Sequence, residues 1–104
     1  MKIAVFCGSN FGKSDIYREA AAALGAALAE QQVELVFGGT NKGLMKIIAD
    51  AVLEGGGIAH GIVPQTLVDK GQQYPHLTRA EIVATRSVRK RRMAEVADGF
   101  IAMP

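Results

Sequence analysis

Apolar positions along this chain follow two alternating rhythms. Residues 2–6, 33–37, 58–63, 81–85 and 99–103 form short runs rich in Ile, Val, Phe and Ala. Such near-continuous runs suit strands covered on both faces, as in a parallel sheet. Between them the spacing changes. Residues 15–31 carry Ile16, Ala20, Ala23, Leu24, Ala27 and Leu28, and residues 43–54 carry Leu44, Ile47, Ile48, Ala51 and Val52. Each set draws one apolar stripe along a helix. A further helix is expected over 88–97. Ser14 and Ser87 stand where N-caps belong, and Gly55-Gly56-Gly57 stops the second helix. Residues 65–80, polar and holding Gly71 and Pro75, predict a long loop with room for one helical turn. Strands alternating with helices imply βαβ units with right-handed crossovers. The pattern therefore predicts an α/β fold: five parallel strands in the order 3-2-1-4-5, helices on both faces, one domain over residues 1–104.

The last run, Phe100 to Met103, ends in Pro104. In parallel sheets, ligands bind just beyond the carboxyl ends of the strands. The expectation is that the fold is truncated after strand five, with part of the machinery in sequence following Pro104. Residues 1–104 alone are then expected to be inactive and prone to associate through the open edge of strand five. Phe100, Ile101 and Met103 would stay partly wet.

Bulk composition narrows the partners. A hydrophobic share of 49%, a charged share of 21% and a net charge of +2 describe an ordinary globular chain. They favour neither nucleic acid nor a membrane surface as a partner. One cysteine makes no internal disulfide, and the opening apolar run is too short for a signal peptide. A cytoplasmic location is expected. Two His and one Cys offer no metal-ligand spacing. Met45 and Met93 fall on apolar helix positions and read as core.

Two features carry candidate chemistry. Cys7-Gly8-Ser9-Asn10 follows strand one, and Gly38-Gly39-Thr40-Asn41-Lys42-Gly43 follows strand two and opens a helix. Glycine lets backbone approach a ligand, helix-opening amides attract phosphate, and Ser9 and Thr40 add hydroxyls. The alternative is a pair of tight βα turns that need glycine for geometry alone. The second feature is basic: Arg86, Arg89, Lys90, Arg91 and Arg92 crowd the start of the last helix. The positive end of a helix dipole disfavours cations there, by about 0.3–1 kcal/mol each. An anion site at Arg89 and Lys90 explains them. A solvated face with an Arg91–Glu95 pair is the competing account.

Taken in order, Cys7-Gly8-Ser9, Gly38-Gly39-x-x-x-Gly43-Leu44-Met45, Ala49-Asp50-Ala51, Gly61-Ile62-Val63-Pro64, Arg89-Lys90, Met93-Ala94-Glu95 and Asp98-x-Phe100-Ile101-Ala102-Met103-Pro104 resemble the LONELY GUY family of cytokinin riboside 5′-monophosphate phosphoribohydrolases. The resemblance implies a Rossmann-like nucleotide-binding domain, incomplete at its C-terminal end. Pro104 matches the proline of the family's P-G-G-x-G-T-x-x-E signature, whose loop and helix bind the nucleotide phosphate and whose glutamate is catalytic. The implied reaction cleaves the N-glycosidic bond of AMP or an N6-modified AMP, giving free base and ribose 5-phosphate. Arg89 matches the family's catalytic arginine, with Lys90 beside it. Gly8, Ser9, Gly38, Gly39, Thr40, Gly43, Lys90 and Pro104 are the substrate-binding candidates. The resemblance also implies a homodimer acting on a nucleoside monophosphate.

The chain departs from the family pattern in several places. Thr40 replaces the third glycine of a G-G-G turn, Lys46 the glycine after Leu-Met, and Arg86-Ser87 a Met-His pair. Arg79 replaces an acidic residue, for which Glu81 is a possible substitute. Members are often labelled lysine decarboxylases. That chemistry needs pyridoxal phosphate on a Schiff-base lysine, and nothing here singles one out, so no cofactor is expected. The rival reading is a non-catalytic nucleotide- or cofactor-binding module of the same fold. The residue at the signature's glutamate position discriminates the two.

Overall fold

The structure, a computed structural model, describes residues 1–6 and 15–102. The elements run β1 (Lys2–Phe6), α1 (Asp15–Glu30), β2 (Glu34–Phe37), α2 (Gly43–Glu54), β3 (Ala59–Pro64), α3 (Gln65–Asp69), β4 (Arg79–Val83), α4 (Arg86–Val96) and β5 (Gly99–Ala102). All four strand pairings are parallel. Strand periodicity sorts the core into two layers. Val5, Leu35, Phe37 and Ala59 face α1 and α2, meeting Leu28, Leu44, Ile48 and Val52. Ala4, Val36, Ile62 and Val83 face the opposite side, where Met93, Val88 and Val96 of α4 cover them. Met45 and Met93 are both buried, as their helix positions implied. The α1–α2 contact is close because Gly25 has no side chain: a Cβ there would lie 2.5 Å from the Ile48 carbonyl oxygen and 2.6 Å from Ala51 Cβ.

The strand order is 4-3-2-1-5, which corrects the expected 3-2-1-4-5. The 3-2-1 segment stands, but β4 extends the β3 side and β5 takes the place beside β1. Two physical reasons favour this. The segment between β3 and β4 folds straight back to the start of β3, where Thr78 N donates to the Ala59 carbonyl at 2.9 Å and Ala59 N to Thr78 Oγ1 at 3.1 Å. That delivers the chain onto the free edge of β3, in the register His60↔Arg79 to Pro64↔Val83. An interior strand would also have to bury Arg79 and Glu81. At the edge, both reach partners near solvent.

Element boundaries moved where caps and pairing outweighed pattern. β4 starts at Arg79 rather than 81 because pairing with β3 begins at the polar residues. α4 starts at Arg86 rather than 88, and its cap is Thr85, not Ser87. Thr85 is extended, and its Oγ1 accepts from Val88 N at 3.2 Å, whereas Ser87 already lies within the helix. The helical turn allowed after β3 is α3. Ser14 lies outside the described residues. On the α4 side of the sheet, Phe100 is 55% exposed and stacks on Phe6 at 5.9 Å. Ile101 is half-buried, and Met103 lies outside the described residues.

Candidate functional site

Strand order locates the crevice. β1, β2, β3 and β4 succeed one another in one direction, then α4 crosses the opposite face to place β5 on the far side of β1. Winding reverses at β1, and open α/β sheets bind ligands outside the carboxyl ends of the strands at that point. A cavity of about 350 Å³ lies there. Val5 and Phe6 from the end of β1, Met45 of α2 and Met93 of α4 give it an apolar floor. Gly38, Thr40 and Lys42 from the β2–α2 turn, Arg86 and Arg89 from α4, and Gln72 from the β3–β4 connection give it a polar wall.

The β2–α2 turn is held from behind. Gly39 has φ +77°, and a Cβ there would fall 2.4 Å from Val63 Cγ2, so the position requires glycine. Gly43 also has positive φ, +63°. The connection after α3 clamps the turn: Asn41 N donates to the Gln72 carbonyl at 3.0 Å and Tyr74 N to the Gly39 carbonyl at 2.7 Å. Tyr74 is buried, packs edge-on against Phe37 and donates its hydroxyl to Asp50 Oδ1 of α2. Burial, and then the Asp50 carboxylate, push the Tyr74 hydroxyl well above its ordinary pKa, so it remains a donor. At the helix start, Lys42 is the N-cap without a side-chain cap bond, and the first turn holds no acid. Among the described residues, no side chain at the N-cap satisfies the opening amides of α2.

Arg89 projects from α4 across Gly38. A Cβ on Gly38 would lie 2.8 Å from Arg89 Nη1 and 3.3 Å from its Cζ, so the guanidinium rests where a side chain would otherwise stand. Its Nε is buried without a hydrogen-bond partner among the described residues. Burial, and then repulsion from Arg86, lower its pKa. An arginine nevertheless keeps its proton in a protein. The site thus holds a partly desolvated cation with an unused donor, which suits an anionic ligand.

Of the sequence candidates, Gly38, Thr40 and Arg89 line the cavity together. Gly39 and Gly43 are buried and shape the turn rather than line it. Lys90 is exposed and does not line the cavity, because one residue turns a helix by about 100°. Gly8, Ser9 and Pro104 lie outside the described residues. Lys42 of the same turn also lines the cavity, and a lone lysine in a glycine turn carries no sequence signal of that. Gln72 came from a polar loop with no signal at all.

The ion-pair expectation shifts by one residue. Arg92, not Arg91, meets Glu95, at 3.2 Å, and it also meets Glu81 at 2.7 Å. Glu81 is thereby tied to α4 and does not line the cavity, and Arg79 meets Glu34 at the amino ends of the strands.

Comparison with known proteins follows the same outline. The model of the SLOG cluster4 family matches residues 1–103. A cytokinin riboside 5′-monophosphate phosphoribohydrolase of Arabidopsis thaliana is 42% identical over 103 residues, covering 99% of this chain and 48% of its own length. A probable cytokinin riboside 5′-monophosphate phosphoribohydrolase of Oryza sativa subsp. japonica is 41% identical, with 99% and 45% covered. The chain therefore spans about half the length of the curated relatives it matches. Among solved structures, the molybdenum cofactor binding protein of Rippkaea orientalis superposes with TM-score 0.82 at 21% identity, covering 97% of this chain and 60% of that one. At that identity the likeness concerns the fold.

Proposed function

This chain belongs to the SLOG cluster4 family, and on that premise we propose that it forms one wall of a nucleoside 5′-monophosphate phosphoribohydrolase site. The substrate is AMP or an N6-modified AMP, and the products are free base and ribose 5-phosphate. The observation that carries the reading is Arg89: a half-buried guanidinium over Gly38, with an unused Nε, at the reversal point of the sheet. The relatives, named as cytokinin riboside 5′-monophosphate phosphoribohydrolases, support the same substrate class.

In this reading Arg89 and the turn at Gly38 and Thr40 hold the phosphate-bearing part of the substrate, and Gly8, Ser9, Lys90 and Pro104 remain candidates for its contacts. Binding energy from the phosphate orients the ribose for bond cleavage. As the N-glycosidic bond breaks, positive charge develops on the ribose, and a carboxylate stabilises it or activates water. The resemblance assigns that carboxylate to the glutamate of the signature that begins at Pro104. A homodimer and a cytoplasmic location belong to the same reading. Among the described residues no helix is long and apolar enough to cross a membrane.

The test is Arg89→Ala in the complete gene product, following release of base from AMP. A charge-assisted contact contributes about 1.5–3 kcal/mol, so kcat/KM should fall roughly 10- to 150-fold. A loss within about threefold, under about 1 kcal/mol, contradicts the role. Retained AMP binding with no turnover in the unmodified protein would favour the non-catalytic binding module instead. Sedimentation at micromolar concentration checks the dimer: a pure monomer contradicts it.

A further inference from the structure

Two hydrogen bonds and the chain itself close a ring behind the cavity wall. Tyr74 N donates to the Gly39 carbonyl at 2.7 Å, and the Tyr74 hydroxyl donates to Asp50 Oδ1. Gly39 and Asp50 are joined by the β2–α2 turn and about two turns of α2. The segment beside the turn is held as well. Thr40 and Gln73 form an antiparallel bridge, Asn41 N donates to the Gln72 carbonyl, and Gln72 N donates to the Leu67 carbonyl of α3. In this bridge the bonds come from the flanking residues, so the amide and carbonyl of Thr40 face away from Gln73. Thr40 and Gln72, one from each side of the pairing, line the cavity. The Tyr74 hydroxyl is the part that packing does not require. Tyr74 is 2% exposed and its ring stands edge-on to Phe37, a contact that phenylalanine would make equally well. The hydroxyl is matched instead to a carboxylate. Asp50 is half-buried, and no cation pairs with it among the described residues. A hydrogen bond to an ionised acceptor is roughly twice as strong as a neutral one.

We propose that Tyr74 and Asp50 are positioning residues of the nucleotide site. Their bond locks residues 72–74 to α2 and so fixes Thr40 and Gln72 in the wall that receives the phosphate-bearing part of the substrate. Neither residue lines the cavity. Both act through the Gly39 carbonyl and the pairing beside Thr40. The inference rests on the nucleotide reading above and adds to it the device that holds its β2–α2 turn.

The probe is ribose 5-phosphate, which the proposed reaction releases and does not consume. It is titrated calorimetrically into the complete gene product and its variants, with urea midpoints to establish that each variant is folded. Tyr74→Phe keeps the ring and removes the hydroxyl. Its dissociation constant should rise at least about threefold, the scale on which a remote contact modulates binding. Asp50→Ala should do the same. Asp50→Asn keeps an acceptor oxygen and should lose less. Tyr74→Phe/Asp50→Ala should bind no more weakly than Tyr74→Phe alone, because both substitutions remove one bond. Gly25→Ala loosens the α1–α2 contact away from the cavity, and should leave the constant within about twofold. A rise under about threefold in Tyr74→Phe overturns the proposal. So does an equal loss in Gly25→Ala, a double variant whose losses multiply, or Asp50→Asn binding no better than Asp50→Ala. AMP hydrolysis by the unmodified protein separates this claim from the reading beneath it. Base release with an unchanged Tyr74→Phe constant removes the positioning pair alone. Weakened binding in Tyr74→Phe without base release by the unmodified protein keeps the pair and removes the hydrolase. An unmodified protein that does not bind ribose 5-phosphate overturns the pair.

Discussion

Adjacent glycines in the β2–α2 turn should respond differently to the same methyl group. Gly38 faces Arg89, and the atom a Cβ would meet is the tip of a flexible side chain. Gly38→Ala should displace the guanidinium. We expect KM for AMP to rise at least threefold, with the unfolding free energy changed by less than about 1 kcal/mol. Gly39 combines φ +77° with a Val63 methyl 2.4 Å from the position of a Cβ. Gly39→Ala should cost about 1–3 kcal/mol or more, from overpacking added to left-handed strain. Urea denaturation measures both. Equal losses of stability would show that Arg89 is not the group that yields. Arg89 was legible in sequence because cations at a helix start conflict with the dipole, and a conflict of that kind points to a ligand. Lys42 was not, because one lysine in a glycine turn conflicts with nothing until the fold sets it beside α4.

Strands were legible as elements, but their neighbours were not. Hydrophobic runs report burial, and burial does not name the strand on the other side of a ladder. β4 shows this: the pattern placed it inside the sheet between β1 and β5, although its polar Arg79 and Glu81 suit the edge it occupies. The answer lay in the short return of residues 70–78 onto β3. The start of α4 was likewise misplaced, at Ser87 rather than Thr85, two hydroxyls two residues apart. Thr85→Ala should destabilise by about 0.5–2 kcal/mol, and Ser87→Ala by much less. Equal effects in thermal unfolding would contradict the assigned cap. Packing between helices offers a sharper test. Gly25→Ala would drive a methyl into the Ile48 carbonyl, which is backbone and cannot rotate away. A loss of about 1–3 kcal/mol is expected.

Across the whole molecule, one buried histidine ties stability to pH. His60 on β3 is 8% exposed, its Nδ1 lacks a hydrogen bond among the described residues, and it lies 3.7 Å from Glu34 Oε1. Burial lowers its pKa below 6.5; Glu34 and Glu81 oppose that, and Lys2 and Arg79 assist it. The folded state therefore binds a proton less readily than the unfolded chain. Its contribution to stability is present above about pH 6.5, and is lost as pH falls from there through the lowered folded value. The urea midpoint should drop between pH 7.5 and 5.5, and His60→Gln should flatten that slope. An unchanged slope in the variant would assign the acid sensitivity to other groups.

The entry to β1 and the entry to β5 are also clasped together. Lys2 N donates to Asp98 Oδ2 at 2.8 Å, Asp98 N returns a bond to the Lys2 carbonyl at 2.7 Å, and β5 pairs with β1 alone. Strands β1, β2 and β3 each pair with the next one made, so a ribosome releases β1 to β4 in the order in which they join. β1 is the exception, since one of its edges must wait for β5. During synthesis at about 5–20 residues per second that edge stays open for seconds, long enough for a trigger-type chaperone or a neighbouring nascent chain to reach it. β5 then arrives as a latch, and the reversal point of the sheet, with the floor of the cavity beside it, forms only once that strand is in place.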